Sequence, residues 1–473
     1  MTETKRNYWL IGLPLFIAFV FVGGMWTGLR FSESQSTPIL DIKGDNRIEE
    51  LLRYIEGRYV TEIDRDSLIT QVIESMLEQL DPHSGYIPKT RLERINEDLR
   101  GDYQGIGLEF VLQKDTPIIT AVVREGPAWK AGIRPGYKIA AVDSTSILQQ
   151  GLQSDEIVQL VRGTENTPVT LSCLDYAENP IQFTLTREKI PNSSVKAAYL
   201  IAPKIAYIKL SRFSGNAYRD FMRELEELIT FQSAENLIID LRQNPGGLLE
   251  ESIKIINQLV PEKNLVILKT EGAHTGKVEY KSSGRAFFRL KEIVILIDEQ
   301  SASASEIIAG TLQDLDRAAI IGRPSFGKGL VQEQYNLHDG SAIRLSVSKF
   351  FTPSGKAIQK PFKGGEFLDN GNQEGRIIPD ITVELDSIFY DPEQTREQAF
   401  NFIKSNEEMI TQVKDSSENY LYEILETEVF STLDATTKGE IAQMLYGEQL
   451  KIKYLNKFDP DIQAAIDWLK DKK

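Results

Sequence analysis

Cysteine and histidine are scarce in this chain. Its 473 residues include one cysteine, Cys173, and three histidines, His83, His274 and His338. One cysteine cannot form an internal disulfide, and the absence of a CxxC pair excludes a cysteine zinc site and a dithiol redox motif. A histidine-rich metal site is also disfavoured, so we expect no metal and no cofactor. Cys173 lies in an apolar run and is expected to be a small core residue.

The sequence also lacks an excess of positive charge. The net charge is -15, and no run of lysine and arginine stands out. Phosphate backbones attract basic surfaces, so a nucleic-acid partner is not expected. The hydrophobic fraction of 41% and the charged fraction of 26% are typical of globular proteins. The length predicts roughly three domains of about 150 residues each.

One stretch lacks charge altogether. No charged residue lies between Arg6 and Arg30, and the segment from Trp9 to Leu29 is strongly apolar. A helix of about 20 such residues can cross a bilayer. The stretch has no small-residue cleavage site, which favours a retained anchor over a cleaved signal peptide. Two basic residues precede the span, so the positive-inside rule predicts a cytoplasmic N-terminus and an extracytoplasmic remainder.

Changes in periodicity divide the chain into segments. Apolar residues at three- and four-residue steps predict helices from Asn46 and over Ser67–Leu80, where Asp81-Pro82 ends the second. Short β-rich runs separated by turns follow. The predicted segments are a cytoplasmic tip at 1–8, an anchor at 9–29, a linker at 30–45, a helical region at 46–100, a mostly β domain at 101–190, an α/β core at 191–385 and a helical tail at 386–473.

The core segment alternates between strands and helices. The predicted strands are Ile205–Leu210, Leu237–Leu241, Leu265–Leu268, Ile293–Ile297 and Ala318–Ile321, and the predicted helices are Tyr218–Leu228, Leu248–Leu259 and Ser303–Leu315. Continuous apolar strands followed by helices are typical of an α/β layer fold with a buried sheet.

A serine-rich motif follows the predicted strand Ile293–Ile297. Ser301, Ser303 and Ser305 alternate with alanines, whose small side chains let another backbone approach. A serine at a helix N-terminus lies beside free amides and the positive end of the helix dipole, which stabilise an oxyanion. The motif alone leaves an alternative open, in which one serine is an N-cap and Glu306 completes a capping box.

The segment from Gly322 to Gly329 nearly spells the phosphate-binding loop G-x-x-x-x-G-K-[ST]. Gly329 stands where that loop has the hydroxyl residue for magnesium, and Pro324 lies inside the loop. The residues after it alternate as in a strand, whereas a phosphate-binding loop leads into a helix. A P-loop nucleotidase is therefore a remote alternative, and Lys328, between two glycines, can instead reach into a tight site.

A third motif, Asp240–Gly247, also lies between a predicted strand and a predicted helix. Its two glycines, Gly246 and Gly247, leave backbone amides unshielded. These amides are either a second pair of oxyanion donors or part of a tight turn, and the motif alone does not decide between the two.

Together the motifs resemble the C-terminal processing peptidases, also called tail-specific proteases, over residues 46 to 385. The resemblance rests on six marks in the family's order, namely Leu80–Ser84, Gly105–Leu108, Asp240–Gly247, Ser301–Glu306, Phe326–Gly329 and Phe351–Gly355. It implies a multidomain α/β protein, with a crotonase-like protease core and an inserted, mostly β PDZ domain. Tyr137 stands where the PDZ segment usually has aspartate, which we interpret as a surface change.

The resemblance also implies a catalytic set for a serine endopeptidase. Ser303 corresponds to the nucleophile, Lys328 to the general base and Gln332 to the residue that orients the lysine. The candidate oxyanion donors are the amides of Gly246, Gly247 and Ala304. A lysine that acts as a base needs a pKa lowered to roughly 7–8, which burial can supply.

Two family-typical positions are expected to be structural. Asp314 matches a residue sometimes assigned a charge-relay role. On one helix from Ser303, however, it lies about 16 Å away, so an ion pair or a structural role is expected. His83 follows Asp-Pro at a helix end and is likewise expected to be structural.

The implied PDZ domain predicts how substrates are recognised. Its loop Gly105, Ile106, Gly107 and Leu108 would hold a C-terminal carboxylate while the peptide adds as a strand.

The expected partners are proteins or peptides with exposed C-terminal tails, the membrane through the anchor, and other copies of the chain in a homo-oligomer. The expected location is the periplasmic side of a bacterial envelope. The principal alternative is an inactive PDZ scaffold, which the intact Ser303, Lys328 and Gln332 set disfavours.

Overall fold

The computed structural model describes residues 47–113, 115–368, 373–384, 391–406 and 423–472. The predicted anchor at 9–29 and the linker at 30–45 lie outside these ranges. No helix within them is long and apolar enough to cross a membrane. The chain divides into two compact units, Met1–Gln71 and Val72–Lys473.

The first unit contains helix α1 (Arg47–Arg58) and the start of α2 (Arg65–Glu78). Both helices were predicted, and α2 begins and ends two residues earlier than expected. None of the residues of α1 is buried, and two glutamates in its first turn interact favourably with the positive end of the helix dipole. The Arg65 guanidinium pairs with the Glu56 carboxylate at 3.2 Å.

The second unit contains the remaining described elements. Its helices are α3 (Lys89–Arg100), α4 (Pro127–Lys130), α5 (Ser154–Val161), α6 (Ala217–Glu226), α7 (Leu249–Leu259), α8 (Ala304–Asp314), α9 (Pro392–Ser405), α10 (Ala435–Tyr446), α11 (Glu448–Leu455) and α12 (Pro460–Asp471). A π-helical turn, Glu227–Phe231, extends α6, and a 3-10 turn, Glu428–Phe430, lies between α9 and α10.

Within the described residues, the second unit has 21 strands. They are β1 (Gly85–Ile87), β2 (Asp102–Gly105), β3 (Leu108–Gln113), β4 (Thr116–Val122), β5 (Lys138–Val142), β6 (Thr145–Ser146), β7 (Pro168–Leu174), β8 (Pro180–Thr186), β9 (Glu188–Pro191), β10 (Val195–Ala202), β11 (Ile205–Leu210), β12 (Asn236–Asp240), β13 (Lys263–Gly272), β14 (Gly276–Ser283), β15 (Ile293–Ile297), β16 (Ala319–Gly322), β17 (Leu330–Asn336), β18 (Ala342–Phe351), β19 (Phe362–Lys363), β20 (Glu366–Phe367) and β21 (Ile381–Thr382).

The central sheet has six strands in the order β10-β11-β12-β15-β16-β21. The pair β10–β11 is antiparallel, and the other neighbours are parallel. Every residue of β12 and β15 is buried, which explains their continuous apolar sequences. Because β12, β15 and β16 are parallel neighbours, the loops that follow them meet at one edge of the sheet.

Helices cover both faces of this sheet. Side chains alternate along each strand, so Ile239 joins the core under α6, α7 and α8, while Ile238 faces α12. All five strands and three helices predicted for the core segment form, with ends shifted by a few residues. Leu265–Leu268, predicted as a strand of the core, instead lies in β13, which pairs with β14 and β18 in a second sheet.

A separate β layer occupies the segment where a small domain was predicted. Its sheet runs β3-β4-β5-β7-β8, with β6 beside β5, so β3 is an edge strand. The antiparallel pair β2–β9 joins its entry and exit. Cys173 is 1% exposed in the core of this layer, as predicted.

The tail is helical where it is described. Helices α9, α10 and α11 share one apolar cluster around Phe430 and Tyr454. The last helix, α12, packs instead on the central sheet through Ile462, Ala465 and Leu469. The tail therefore contributes to the core of the second unit, which its sequence did not reveal.

Candidate active site

Ser303 lies between β15 and α8, at the carboxyl edge of the central sheet. Its backbone has φ 54 and ψ −113, a strained conformation for a residue other than glycine. The flanking serines are fully buried and donate to backbone carbonyls, Ser301 to Leu241 at 2.8 Å and Ser305 to Asn244 at 2.9 Å. Ser303, in contrast, is partly exposed. Of the three serines, it is therefore the one that a substrate can reach.

Glu306 connects the serine to the lysine loop. It is fully buried, and its carboxylate accepts from the amides of Ser303 at 2.9 Å and Lys328 at 2.8 Å. The Gly327 amide at 2.7 Å and the Ser325 hydroxyl at 2.5 Å donate to the other oxygen. Burial raises the pKa of Glu306, and the four donors oppose this. The sequence identified Glu306 only as a capping residue, but here it also joins the loop of Ser303 to the loop of Lys328.

Lys328 is held by a neutral partner. Its amine donates to Gln332 Oε1 at 2.8 Å, and the Gln332 amide nitrogen donates to the His83 carbonyl at 2.7 Å. The carbonyl fixes the orientation of the glutamine amide, so its oxygen faces the lysine. Burial lowers the pKa of Lys328, and the charge of Arg344 adds to this effect. Among the described residues, the Lys328 amine makes no hydrogen bond to the Ser303 hydroxyl, and the two residues are linked through the Glu306 carboxylate, which accepts from both backbone amides.

The Leu80–Ser84 motif holds the backbone carbonyl to which Gln332 donates. Asp81 accepts from the amides of His83 and Ser84, both at 2.8 Å, and from the Ser346 hydroxyl of β18 at 3.1 Å. These bonds hold the His83 carbonyl where Gln332 reaches it. Burial and the nearby Lys328 charge lower the pKa of His83 to about 4, so the imidazole is neutral at ordinary pH. The contact that this motif makes with Gln332 is the His83 backbone carbonyl, which accepts from the glutamine amide.

The glycine turn after β12 packs directly against the serine. A Cβ placed on Gly246 would lie 2.8 Å from the Ser303 Cβ and 2.9 Å from the Ala304 nitrogen. With φ 97, Gly246 also has a conformation that other residues rarely adopt. Its amide already donates to Asn244 Oδ1 at 2.9 Å. The Gly247 and Ala304 amides donate to no other described residue, so they are the available donors at this edge.

Asp314 lies at the far end of α8, 11 residues from Ser303. Its carboxylate accepts from the Ser354 amide at 2.9 Å, which stabilises the turn after β18. The structure thus does not bring Asp314 to the serine. No cluster of potential metal ligands occurs in the described ranges.

The lysine loop also decides against the phosphate-binding alternative. Lys328 is followed by strand β17, Leu330–Asn336, as the alternating sequence indicated. A phosphate-binding loop needs a helix at that point, because the helix N-terminus holds the phosphate. The P-loop interpretation is wrong.

A second concave site lies in the β layer. A cavity of about 300 Å³ is bordered by the loop Gly105–Leu108, by Val158 and Val161 of α5, and by Lys196 of β10. The amides of Ile106 and Gly107 donate to no other described residue. Two such amides beside an apolar wall and the edge strand β3 suit an extended chain that ends in a carboxylate.

Known proteins match the segment that holds Ser303 and Lys328 and part of the β layer. A family model described as Peptidase family S41 matches residues 204–383, and a PDZ domain model matches residues 118–174. A "Probable CtpA-like serine protease" of Staphylococcus aureus is 32% identical over 372 residues, which are 78% of this chain and 69% of that protein. The carboxy-terminal-processing protease of Bartonella bacilliformis is 31% identical over 349 residues, which are 73% of this chain and 79% of that protein.

Among solved structures, the photosystem II D1 C-terminal processing protease aligns with 26% identity and a TM-score of 0.40. The alignment covers 71% of this chain and 86% of that chain. The S41 match contains Ser303 and Lys328, and the PDZ match runs from within β4 to the end of β7.

Proposed function

The chain belongs to peptidase family S41, and on that premise we propose that Ser303 is the nucleophile and Lys328 the general base of its peptidase activity. The protein is a C-terminal processing serine protease with a PDZ domain. One observation carries the assignment of the two residues. A single buried carboxylate, that of Glu306, accepts from the backbone amides of both, which keeps the nucleophile and the base side by side.

The reaction begins with proton transfer from Ser303 to the neutral amine of Lys328. The serine oxygen attacks the scissile carbonyl, and the amides of Gly247 and Ala304 donate to the oxyanion. The lysine then gives its proton to the leaving amine, which leaves an acyl-serine. Water hydrolyses this ester with the same lysine as base. The lowered pKa of Lys328 supports this role, because only the unprotonated amine can accept a proton.

Gln332 is proposed to position the lysine amine. Its amide oxygen binds the amine without adding negative charge, so the lysine is oriented and its lowered pKa is kept. A carboxylate at the same place would favour the protonated form.

The PDZ domain is proposed to bind the C-terminal tail of the substrate. The amides of Ile106 and Gly107 would receive the terminal carboxylate, and the tail would pair with β3, with its last side chain against Val158 and Val161. Amidation of the peptide C-terminus removes a charge-assisted hydrogen bond worth about 1.5–3 kcal/mol, so binding to Ser303→Ala protein should fall roughly tenfold to a hundredfold. Equal affinity for acid and amide peptides would exclude this role.

Three further assignments are proposals with their own tests. The core is proposed to be crotonase-like, supported by its parallel sheet with helices on both faces. Residues 9–29 are proposed to anchor the enzyme with its catalytic part on the periplasmic side. An N-terminus after residue 30 in the mature protein would instead mean a cleaved signal peptide. A homo-oligomer is also proposed, and sedimentation of the purified protein would test it.

The activity is tested by incubating the full chain with an unfolded protein that exposes its C-terminus. The wild-type protein should cut it, and Ser303→Ala should not. If the wild-type protein binds tails but does not cut them, it is a PDZ scaffold, which is the principal alternative from the sequence.

A further inference from the structure

The last helix of the chain reaches the catalytic edge of the sheet through a buried carboxylate. Asp461, in the first turn of α12, is fully buried. Its Oδ2 accepts from Arg242 Nη1 at 2.8 Å and from Arg323 Nη1 at 3.0 Å, and its Oδ1 lies 3.1 Å from the same Arg323 nitrogen. One side chain from the tail thus binds two arginines of the core.

These arginines lie at the bases of the two loops that flank Ser303. Arg242 follows β12 and precedes the glycine turn that ends at Gly247. Arg323 follows β16 and precedes the loop that carries Lys328. We call residues 241–247 the oxyanion turn and residues 323–329 the lysine loop. Asp461 therefore links the base of the oxyanion turn to the base of the lysine loop, from the side of the sheet opposite α8.

The link is separate from the packing that keeps α12 in place. Ile462, Ala465 and Leu469 of α12 pack on the sheet residues Ile238 and Val294. This apolar face keeps the helix docked if the Asp461 carboxylate is changed. Loss of the charge would instead leave two mostly buried arginines with one carboxylate partner fewer. The loops that carry them would then shift toward other acceptors.

We propose that Asp461 is a positioning residue for catalysis, which holds the oxyanion turn and the lysine loop in register through Arg242 and Arg323. This inference rests on the proposed roles of Ser303 and Lys328. It gives the tail a function within the active site of its own chain.

The test compares Asp461→Asn with the full-length wild-type enzyme on one tailed substrate. A displacement of catalytic groups by about 1 Å can cost on the order of a hundredfold in rate. We therefore expect kcat to fall about tenfold to a hundredfold, with KM within about twofold because the PDZ groove is untouched. Asp461→Glu, which restores the charge, should recover part of the lost kcat.

The matched control is Asp467→Asn on the same helix. Its carboxylate is 68% exposed and pairs only with Lys470 at 3.4 Å among the described residues, so kcat should not change. Arg323→Lys provides a second variant if Asp461→Asn does not fold. It keeps the positive charge but replaces the planar three-nitrogen guanidinium with a single ammonium, and it should also lower kcat with little effect on KM.

The outcomes separate this inference from the proposed mechanism. A folded Asp461→Asn enzyme with wild-type kcat overturns the positioning role while the dyad stands. A fall in kcat that Asp461→Glu does not relieve at all, with a parallel rise in KM, also overturns it and indicates general loss of structure. Cleavage by Ser303→Ala would instead overturn the mechanism on which the inference rests.

Discussion

Two neighbouring regions at the same edge of the central sheet bury charge in opposite ways. Around Arg242, each buried charge faces an opposite one, with Asp240 at 2.7 Å and Asp461 at 2.8 Å from the guanidinium. Around Lys328, the amine donates to a neutral amide, and the buried Glu306 accepts from backbone amides and a hydroxyl. The first region compensates its charges, and the second does not.

The difference agrees with the roles proposed for the two regions. Burial alone would raise the pKa of Asp240, but the charges of Arg242 and Lys209 overcome it and hold that pKa far below its usual range. Such a group does not exchange protons near neutral pH. At Lys328 burial outweighs the attraction of Asp81 and Glu306, and the pKa falls toward the range of a useful base. The paired charges around Arg242 thus suit a structural role, and the lowered pKa of Lys328 suits the proposed role of a base.

Removing the side chain of Ser303 or of Lys328 should have the largest effect. Ser303→Ala and Lys328→Ala are each expected to lower kcat by at least about 10³-fold, because nucleophile and base act as one unit. The double variant should be no worse than either single one. Circular dichroism and tail-peptide affinity serve as controls and should match the wild type. Additive losses in the double variant would contradict a single catalytic unit.

Breaking the compensated region should affect stability first. Asp240→Ala leaves Arg242 and Lys209 with one fewer carboxylate in a buried place, and truncating one partner of such a cluster costs about 3–5 kcal/mol. The free energy of unfolding, measured with urea, should fall by that amount. Asp98→Ala is the surface comparison, because its pair with Arg212 is about 40% exposed on both sides and should contribute little. Equal losses in the two variants would contradict the contrast.

Glu306→Gln tests the link between the two catalytic loops. The amide keeps one acceptor oxygen but turns an NH₂ group toward two of the four donors. A buried donor left unsatisfied costs about 1–3 kcal/mol, so stability should fall by that order and kcat should fall with it. The melting temperature and the single-turnover rate measure the two effects. A variant with wild-type kcat would show that Glu306 is only a helix cap.

Gln332→Glu makes the lysine region resemble the arginine region, and its effect should be smaller. A carboxylate beside Lys328 stabilises the ammonium and raises its pKa. The acid limb of the pH–rate profile should therefore move to higher pH, by about one unit for an added interaction of about 1.4 kcal/mol. Activity should fall about tenfold at neutral pH and recover in alkaline buffer. A loss that is independent of pH would mean that the substitution acts through geometry.

The fold elements were predictable from the sequence because the buried strands are continuous apolar runs and the helices repeat their apolar residues at helical spacing. The proposed catalytic set of Ser303, Lys328 and Gln332 came instead from the resemblance to a family, because no one motif identified it alone. The contacts that support the set were not predictable. The carbonyl bound by Gln332 comes from His83 and has no side-chain signature, and Asp461 lies more than 100 residues after either arginine that it binds.

Even a contact between residues two positions apart was not predictable from the motif. Gly246 and Gly247 are equivalent as sequence, but the Asn244 side chain accepts from the Gly246 amide and leaves that of Gly247 available. Only the folded turn distinguishes them.

The pH–rate profile of Lys328→Arg beside that of the wild type tests the dyad most directly. Arginine keeps the positive charge but does not lose its proton in proteins, so it cannot act as a base. We expect the wild-type kcat to rise as Lys328 loses its proton, and the Lys328→Arg enzyme to bind tails normally and remain inactive at every pH. Substantial cleavage by Lys328→Arg, with an acid limb that His274→Gln or His338→Gln removes, would contradict it and assign the base to a histidine.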